Sequence, residues 1–422
     1  MKEELRGRHL VGADKMFATG GGILARLFAG GFGRVLDRVD AGLGEGAIEA
    51  TLPDGTMRLL GGRKPGPVAL VHLRNWRPLV RLMTSGSVGW YKAWALGEWT
   101  SPDPVPLFDL FMRNGETIGR VGRAKGLSRV LNLLGHMLRA NSRSRARENI
   151  AFHYDLGNDF YAAWLARTMT YSSAMFASPY DDGEPLEAAQ ERKIRALLDR
   201  LDLRPGQRLL ETGCGWGSLA EIAARDYGVQ VVGVTLSSEQ KAYADARMQK
   251  TGLFDRVSIR LCDYRDISES FDAVASVEMV EAVGREYWPA YLETIARVLK
   301  SGGRAAIQMI SIRDSLFEAY AANTDFIQTY IFPGGMLIGE DEFRAIAARC
   351  GLTWGDRHGF GLDYAETLKR WRTNYDAAVE EERLLRGFDD AFHRLWRYYL
   401  MYCEGGFRGG GIDVAQVTLT KA

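Results

Sequence analysis

The 422-residue sequence has no stretch approaching the run of about 18 apolar residues that a bilayer-crossing helix requires, so it is not expected to span a membrane. Cysteine is scarce. Cys214, Cys262, Cys350 and Cys403 are the four present, and none falls in CxxC or Cys/His ligand spacing. That excludes a disulfide scaffold, points to no metal, and reads as reduced thiols in a cytoplasmic protein. An excess of one charge is also missing: Lys+Arg 54 against Asp+Glu 53 leaves +1. A global pull toward nucleic acid is thereby excluded, and any electrostatic partner must be met by a local patch. There is no internal repeat and no low-complexity tract. The opening MKEELRGRHLVGADKMF mixes acids with its bases, unlike a secretory signal.

What is present divides the chain. Residues 1–120 are rich in Gly and Trp and read as a small N-terminal α+β domain. In GAIEATLPDGTMRLLGG (46–62), alternating Ile48, Ala50 and Leu52 precede Pro53-Asp54-Gly55, and Met57, Leu59 and Leu60 follow, predicting two strands around a turn. VALVHL (68–73) predicts a buried strand. Residues 121–148 form a basic amphipathic linker. From Arg120 to Arg147 run eight basic residues and no acid, interleaved with Val130, Leu131, Leu133, Leu134, Met137 and Leu138. This stretch suits anionic headgroups at a phospholipid bilayer surface, and equally a solvated inter-domain helix. From 149 to 422, strands alternate with helices, as in a mostly parallel α/β sheet covered on both faces. Phe388, Phe392, Leu395, Trp396, Tyr399 and Cys403 form a helical stripe, with Gly405-Gly406 as its expected end.

The strongest local motif is LLETGCGWGSLA (209–220), a strand ending at Glu211, a turn through Gly213, Gly215 and Gly217, and a helix opening at Ser218. The spacing G-x-G-x-G differs from the dinucleotide pattern G-x-G-x-x-G. An acid just before it suits a cationic amino group, whereas a pyrophosphate would be repelled. Both features point to S-adenosylmethionine. In such a sheet the ligand lies beyond the carboxyl ends of the strands. There Thr235 and Gln240 offer groups to a ribose, and Asp263 offers an acceptor to an adenine amino group. Ser237 and Asp263 also sit where helix N-caps belong.

Eight ordered motifs carry a family resemblance: HYDLGNDFY (153–161), TYSSAMF (170–176), LLETGCGWGSLA, VVGVTLSSEQ (231–240), SVEMVEAVG (276–284), YIFPGG (330–335), FGLDY (360–364) and YYLMYCEGGFR (398–408). The sequence from about 145 to 422 resembles the cyclopropane fatty acid synthases and mycolic acid methyltransferases. The region before it is similar, more loosely, to the helper domain of the bacterial cyclopropane synthases. The resemblance implies a Rossmann-like class I methyltransferase sheet. It implies methyl transfer from S-adenosylmethionine to the double bond of an unsaturated acyl chain in a phospholipid, at the inner face of the membrane. Members with the helper domain are often dimers, so a homodimer is one possibility and the oligomeric state stays open. Carried over motif by motif, Tyr171, Ser172, Gly213, Gly215, Thr235, Gln240 and Asp263 hold the cofactor.

The resemblance also implies a bicarbonate ion beside the reacting methyl, bound by a Cys, a Glu, a His and a Tyr. Here the sequence departs. The Cys is Ser173, the Glu is kept as Glu281 but followed by Ala282 in place of His, the strand His is Gln308, and Tyr364 is kept. Glu278 stands where the family commonly has Gly. Ser and Gln still offer hydrogen bonds to an anion, so bicarbonate stays open, but the imidazole that would support proton transfer is gone.

An isolated alkene is a poor nucleophile, and its alkylation leaves a carbocation that water would trap. The site must therefore align the reactants and stay dry. Tyr171, Phe176, Trp216, Phe326, Tyr330, Phe332, Phe360 and Tyr364 are candidate walls, or ordinary core. Loss of a proton from the new methyl closes a cyclopropane; loss from a neighbouring carbon gives a methyl-branched or methylene chain. Glu278 is a candidate base for either. Two other readings stay open: a methyltransferase of a soluble small molecule, and a non-catalytic cofactor- or lipid-binding protein.

Overall fold

The computed structural model describes residues 6–16, 31–118, 156–178, 183–384 and 387–422. The basic stretch 120–147 and His153 lie outside the described residues. The chain forms two compact units that are not consecutive blocks of sequence. The first takes Met1–Ala140, Arg313–Pro333 and Arg386–Ile412; the second takes Asn141–Ile312, Gly334–Leu385 and Asp413–Ala422. Two segments of the stretch 149–422 thus group with the N-terminal residues in this division.

In the first unit, β1 (Ala47–Thr51) and β2 (Met57–Gly61) pair antiparallel around the expected turn. Asp54 Oδ1 closes that turn by accepting from the Thr56 amide at 3.0 Å and its hydroxyl at 2.7 Å. β3 (Val68–Leu73) runs parallel to β1, and β4 (Trp99–Thr100) completes the order β2-β1-β3-β4. β3 is not fully buried: Val68 and Leu70 face out while Ala69, Val71 and Leu73 face in. A continuous apolar run conceals this alternation, because only one face of the sheet is covered.

The helix Asp390–Arg408 passes through Gly405 and Gly406 and is capped at Gly409. The two glycines therefore do not end it. A Cβ on Gly405 would lie 2.4 Å from Phe108 Cβ and 2.7 Å from the Val105 carbonyl, so glycine permits close packing on the helix Val105–Arg113. Phe326 and Tyr330 pack with Tyr91, and Phe326 also with Tyr398, in this unit's aromatic core.

The second unit is built on an eight-stranded mixed sheet of order β11-β12-β9-β8-β5-β6-β7, with the short β10 (Ile338–Gly339) beside β9. Its strands are β5 (Arg208–Thr212), β6 (Gln230–Thr235), β7 (Val257–Leu261), β8 (Phe271–Val277), β9 (Leu299–Ile312), β11 (Leu352–Gly359) and β12 (Ile412–Lys421). β7, β6, β5, β8 and β9 run parallel, and β11 pairs antiparallel with β12. The sequence pattern predicts neither β11 nor the helix Leu186–Asp199. Strand order reverses at β5, which has β6 on one side and β8 on the other, and a crevice opens there beyond the strand ends. Leu197, Leu198, Leu209, Leu219, Val231 and Ala273 are among the buried side chains that hold the helices to this sheet.

Candidate active site

A cavity of about 190 Å³ occupies that crevice. β5 delivers Glu211 and the glycine turn, β6 delivers Thr235 and Gln240, β7 delivers Asp263 and Arg265, and β8 delivers Glu278. The segment 169–172 brings Tyr171 and Ser172, and the helix Leu186–Asp199 brings Lys193. Gly213 (φ 75) and Gly215 (φ 50) take left-handed backbone, and a Cβ on Gly213 would meet Met279 Cγ at 2.8 Å. Beside Gly215 the space is open, and a Cβ there would have nothing within 4 Å. Gly217 does not line the cavity. It is the left-handed N-cap of the helix Ser218–Asp226, where a Cβ would press on Ala244 at 3.1 Å.

Polar groups are arranged for a cationic, hydroxyl-rich ligand. Glu211 is 4% exposed, and its Oε2 is buried without a hydrogen-bond partner among the described residues. Burial pushes its carboxyl up to about 8, against the opposing pull of Lys193. A ligand ammonium would satisfy that oxygen. Thr235 Oγ1 donates to Gln240 Oε1 at 2.8 Å, which holds the pair together at the end of β6. Ser237 caps the next helix by accepting from the Gln240 amide at 3.2 Å. Asp263 accepts from the Arg265 amide at 3.0 Å and from its guanidinium at 2.8 and 2.5 Å, so its carboxylate serves as cap and ion-pair partner as well as lining the cavity. Trp216 and Tyr171 line the cavity too, with the Trp216 indole donating to Asn158 Oδ1 at 2.7 Å.

Three of the four residues that match the implied bicarbonate ligands, Ser173, Gln308 and Tyr364, converge on Glu278 instead. Its Oε1 accepts from the Ser173 backbone amide at 2.9 Å and from Gln308 Nε2 at 2.7 Å, and its Oε2 accepts from the Tyr364 hydroxyl at 2.7 Å. Ser173, Gln308 and Tyr364 stand behind this carboxylate rather than lining the cavity. Ser173 does so through its amide, while its hydroxyl donates to the Ala174 carbonyl at 2.8 Å. Gln308 is oriented by Gln416, whose Nε2 donates to Gln308 Oε1 at 3.1 Å. Burial raises the Glu278 carboxyl, opposed first by Lys193 and then by the three donors.

Glu281 accepts a short hydrogen bond from the Ile310 amide, and its Oε2 has no partner among the described residues. Burial first, and repulsion by Glu278 second, push it up to about 8. Of the proposed walls, Phe176 lies under the Arg370 guanidinium at 4.5 Å. Phe326 and Tyr330 pack together as ordinary core of the first unit.

Sequence reasoning missed Lys193, Gln190 and Gln416. The signal existed: Gln190 and Lys193 fall within the apolar stripe Leu186, Ala189, Ile194, Leu197 of one helix, and Gln416 interrupts an apolar strand.

The profile of the mycolic acid cyclopropane synthetases matches residues 141–417. The chain belongs to that family. It is 39% identical over 347 residues to the tuberculostearic acid methyltransferase UfaA1 of Mycobacterium tuberculosis, covering 81% of this chain and 80% of that one. It is 34% identical over 352 residues to the cyclopropane-fatty-acyl-phospholipid synthase of Escherichia coli, covering 83% and 87%. Among solved structures, the mycolic acid cyclopropane synthase CmaA1 complexed with SAH and CTAB superimposes with a TM-score of 0.59 at 30% identity, over 65% of this chain and 98% of that one. The Rossmann-like class I methyltransferase sheet read from the sequence of this family member is the sheet observed.

Proposed function

We propose that the protein transfers a methyl group from S-adenosylmethionine to the double bond of an unsaturated fatty acyl chain in a membrane phospholipid, with the carboxylate of Glu278 standing in for a bicarbonate ion. The observation that carries this reading is the triple acceptance by Glu278 of hydrogen bonds from Ser173, Gln308 and Tyr364. Family membership supports an S-adenosylmethionine-dependent lipid methyltransferase.

When bound, S-adenosylmethionine supplies an electrophilic methyl group. Glu211 would take its amino group, Thr235 and Gln240 its ribose, and Asp263 its adenine. The chain's own part is to align the acyl chain, exclude water and receive a proton. Glu278 lines the cavity, and against its burial Lys193 and three donors favour its charged form. It therefore accepts the proton lost after methyl transfer. The carbon that gives up this proton decides between a cyclopropane and a methyl-branched or methylene product. Glu281, held largely neutral beside it, does not compete as a base.

We further infer that the substrate is met at a bilayer surface. No helix among the described residues is long and apolar enough to cross a membrane. The sequence from 120 to 147 offers basic charge without an acid.

The test is incubation of purified protein with methyl-labelled S-adenosylmethionine and vesicles of cis-unsaturated phosphatidylglycerol or phosphatidylcholine, followed by mass spectrometry of the acyl chains. Label in the acyl chain, faster on the anionic vesicles and unchanged in bicarbonate-free buffer, is expected. A strict bicarbonate requirement would overturn the role of Glu278, and no acyl label would overturn the function.

A further inference from the structure

A lysine with 0% exposure stands in the cavity wall without having been singled out by any motif. Lys193 lies on the inner face of the helix Leu186–Asp199, one turn beyond Gln190. Its Nζ donates to Ser172 Oγ at 2.6 Å, while Gln190 Nε2 donates to the Ser172 carbonyl at 2.8 Å. Ser172 is thus gripped at both oxygens by one helix. Since its hydroxyl oxygen already accepts from an ammonium, its own proton is left to be donated elsewhere.

We propose that Lys193 is a positioning residue of the methyl-transfer site, which keeps the Glu278 carboxylate anionic and fixes the Ser172 hydroxyl as a donor facing the cofactor cavity. The inference rests on the reading of Glu278 as the base.

The groups around the ammonium bear this out. Glu278 at the end of β8 and Glu211 of β5 line the same cavity as the lysine, and their charges, Glu278 first, oppose the effect of its burial. Behind them, Arg247 acts on Glu211, while Glu281 and Tyr364 face Glu278. β9 and β12 present only neutral amides here, Gln308 and Gln416, the latter donating to the Lys193 carbonyl at 3.0 Å. The charged neighbours on its own helix turn to other partners: Glu191 to Arg195, and Arg192 to Glu184. The buried ammonium thus shares one cavity with Glu211, at the end that takes the cofactor's amino group, and with Glu278, at the end that takes the proton. Burial draws the lysine down to about 8, which leaves it charged at neutral pH.

The experiment compares Lys193→Met, Glu278→Gln and the double variant. Rate against pH is measured with labelled cofactor and phospholipid vesicles, and melting temperature is measured on the cofactor-free proteins at pH 7. If Lys193 holds Glu278 ionised, K193M moves the acidic limb of the rate profile up by at least one pH unit. The neutral-pH rate then falls at least tenfold and recovers on raising the pH. Melting shows the same pairing: K193M lowers the melting temperature several degrees more when Glu278 is present than in the E278Q background. An unmoved acidic limb with additive melting shifts would reduce Lys193 to a packing residue and overturn the inference. Should K193M fail to fold, a folded double variant supports the pairing, and an unfolded one overturns it. Full activity in E278Q would instead sink the proposed base, whereas an inactive E278Q beside a K193M of normal pH profile sinks the lysine inference alone.

Discussion

Glu278 has left-handed backbone, with φ 47, at a position where the resembling family commonly has Gly. A non-glycine residue there costs about 1–2 kcal/mol, and such strain persists where the surroundings impose it. The three donors on its carboxylate are those surroundings. Its neighbour Glu281 is a different case, a carboxyl with one backbone donor and one unpartnered oxygen. Its folded value of about 8 lies above the ordinary 4.5. The folded state therefore keeps a proton that the unfolded state releases, and the associated stability is full below about pH 4.5 and lost as pH rises through about 8. Glu281→Gln is expected to remove that loss: relative to the parent, the variant melts higher at pH 9 than at pH 5, by the equivalent of about 1 kcal/mol or more. Melting of both cofactor-free proteins at the two pH values checks this, and an equal difference at both would contradict it. At Gly213, φ 75 and a 2.8 Å approach to Met279 act together. Gly213→Ala should cost about 1–2 kcal/mol in stability and weaken binding of S-adenosylhomocysteine at least tenfold by calorimetry.

At the scale of elements, the sequence made the glycine turn, the capping serine and the parallel strands readable, because each depends on residues close together in the chain. Ser237 caps its helix as its position implied, and the hairpin around Pro53-Asp54-Gly55 forms. The helix Leu186–Asp199 and β11 went unread. The helix's buried face carries a glutamine and a lysine, which blur the apolar period, and β11 has four exposed residues in succession. What the sequence could not display was how distant elements meet. Gln416 of β12 ties Gln308 of β9, the carbonyl of Lys193 and, through its Oε1, Arg200 Nε at 3.2 Å. Replacing Gln416 by Leu leaves Gln308 Oε1 buried and unpaired, which costs about 1–3 kcal/mol. The same change frees the Gln308 amide to turn away from Glu278. A lowered melting temperature together with a slower methyl transfer is the expected result; lost stability at full activity would show that Gln308 holds its orientation without help.

For the molecule as a whole, the decisive feature is that the chain returns to its first unit twice, at Arg313–Pro333 and at Arg386–Ile412. The matched family region begins at residue 141, which invites the view that 141–422 is a self-sufficient domain. The packing of the helix Asp390–Arg408 argues otherwise. Its Gly405 and Gly409 approach the helix Val105–Arg113 so closely that a Cβ on Gly409 would lie 2.6 Å from the Asp109 carbonyl. The adjoining Tyr398 ring meets Phe108 edge-on at 5.2 Å. A fragment starting at 141 lacks both Val105–Arg113 and Tyr91, and so uncovers Tyr398 and Phe326. Exposing large apolar side chains of this kind costs about 1.5–3 kcal/mol each, against a total stability of about 5–15 kcal/mol for a domain. The fragment should be insoluble, or soluble with a weak near-ultraviolet circular dichroism signal and strong binding of an apolar dye, while the full chain shows neither defect. In the full chain, Gly405→Leu should lower the melting temperature through the same contact, since its Cβ would meet Phe108 Cβ at 2.4 Å. A monomeric, cooperatively melting 141–422 fragment that binds S-adenosylhomocysteine as tightly as the full chain would show that this helix needs no partner from the first 140 residues.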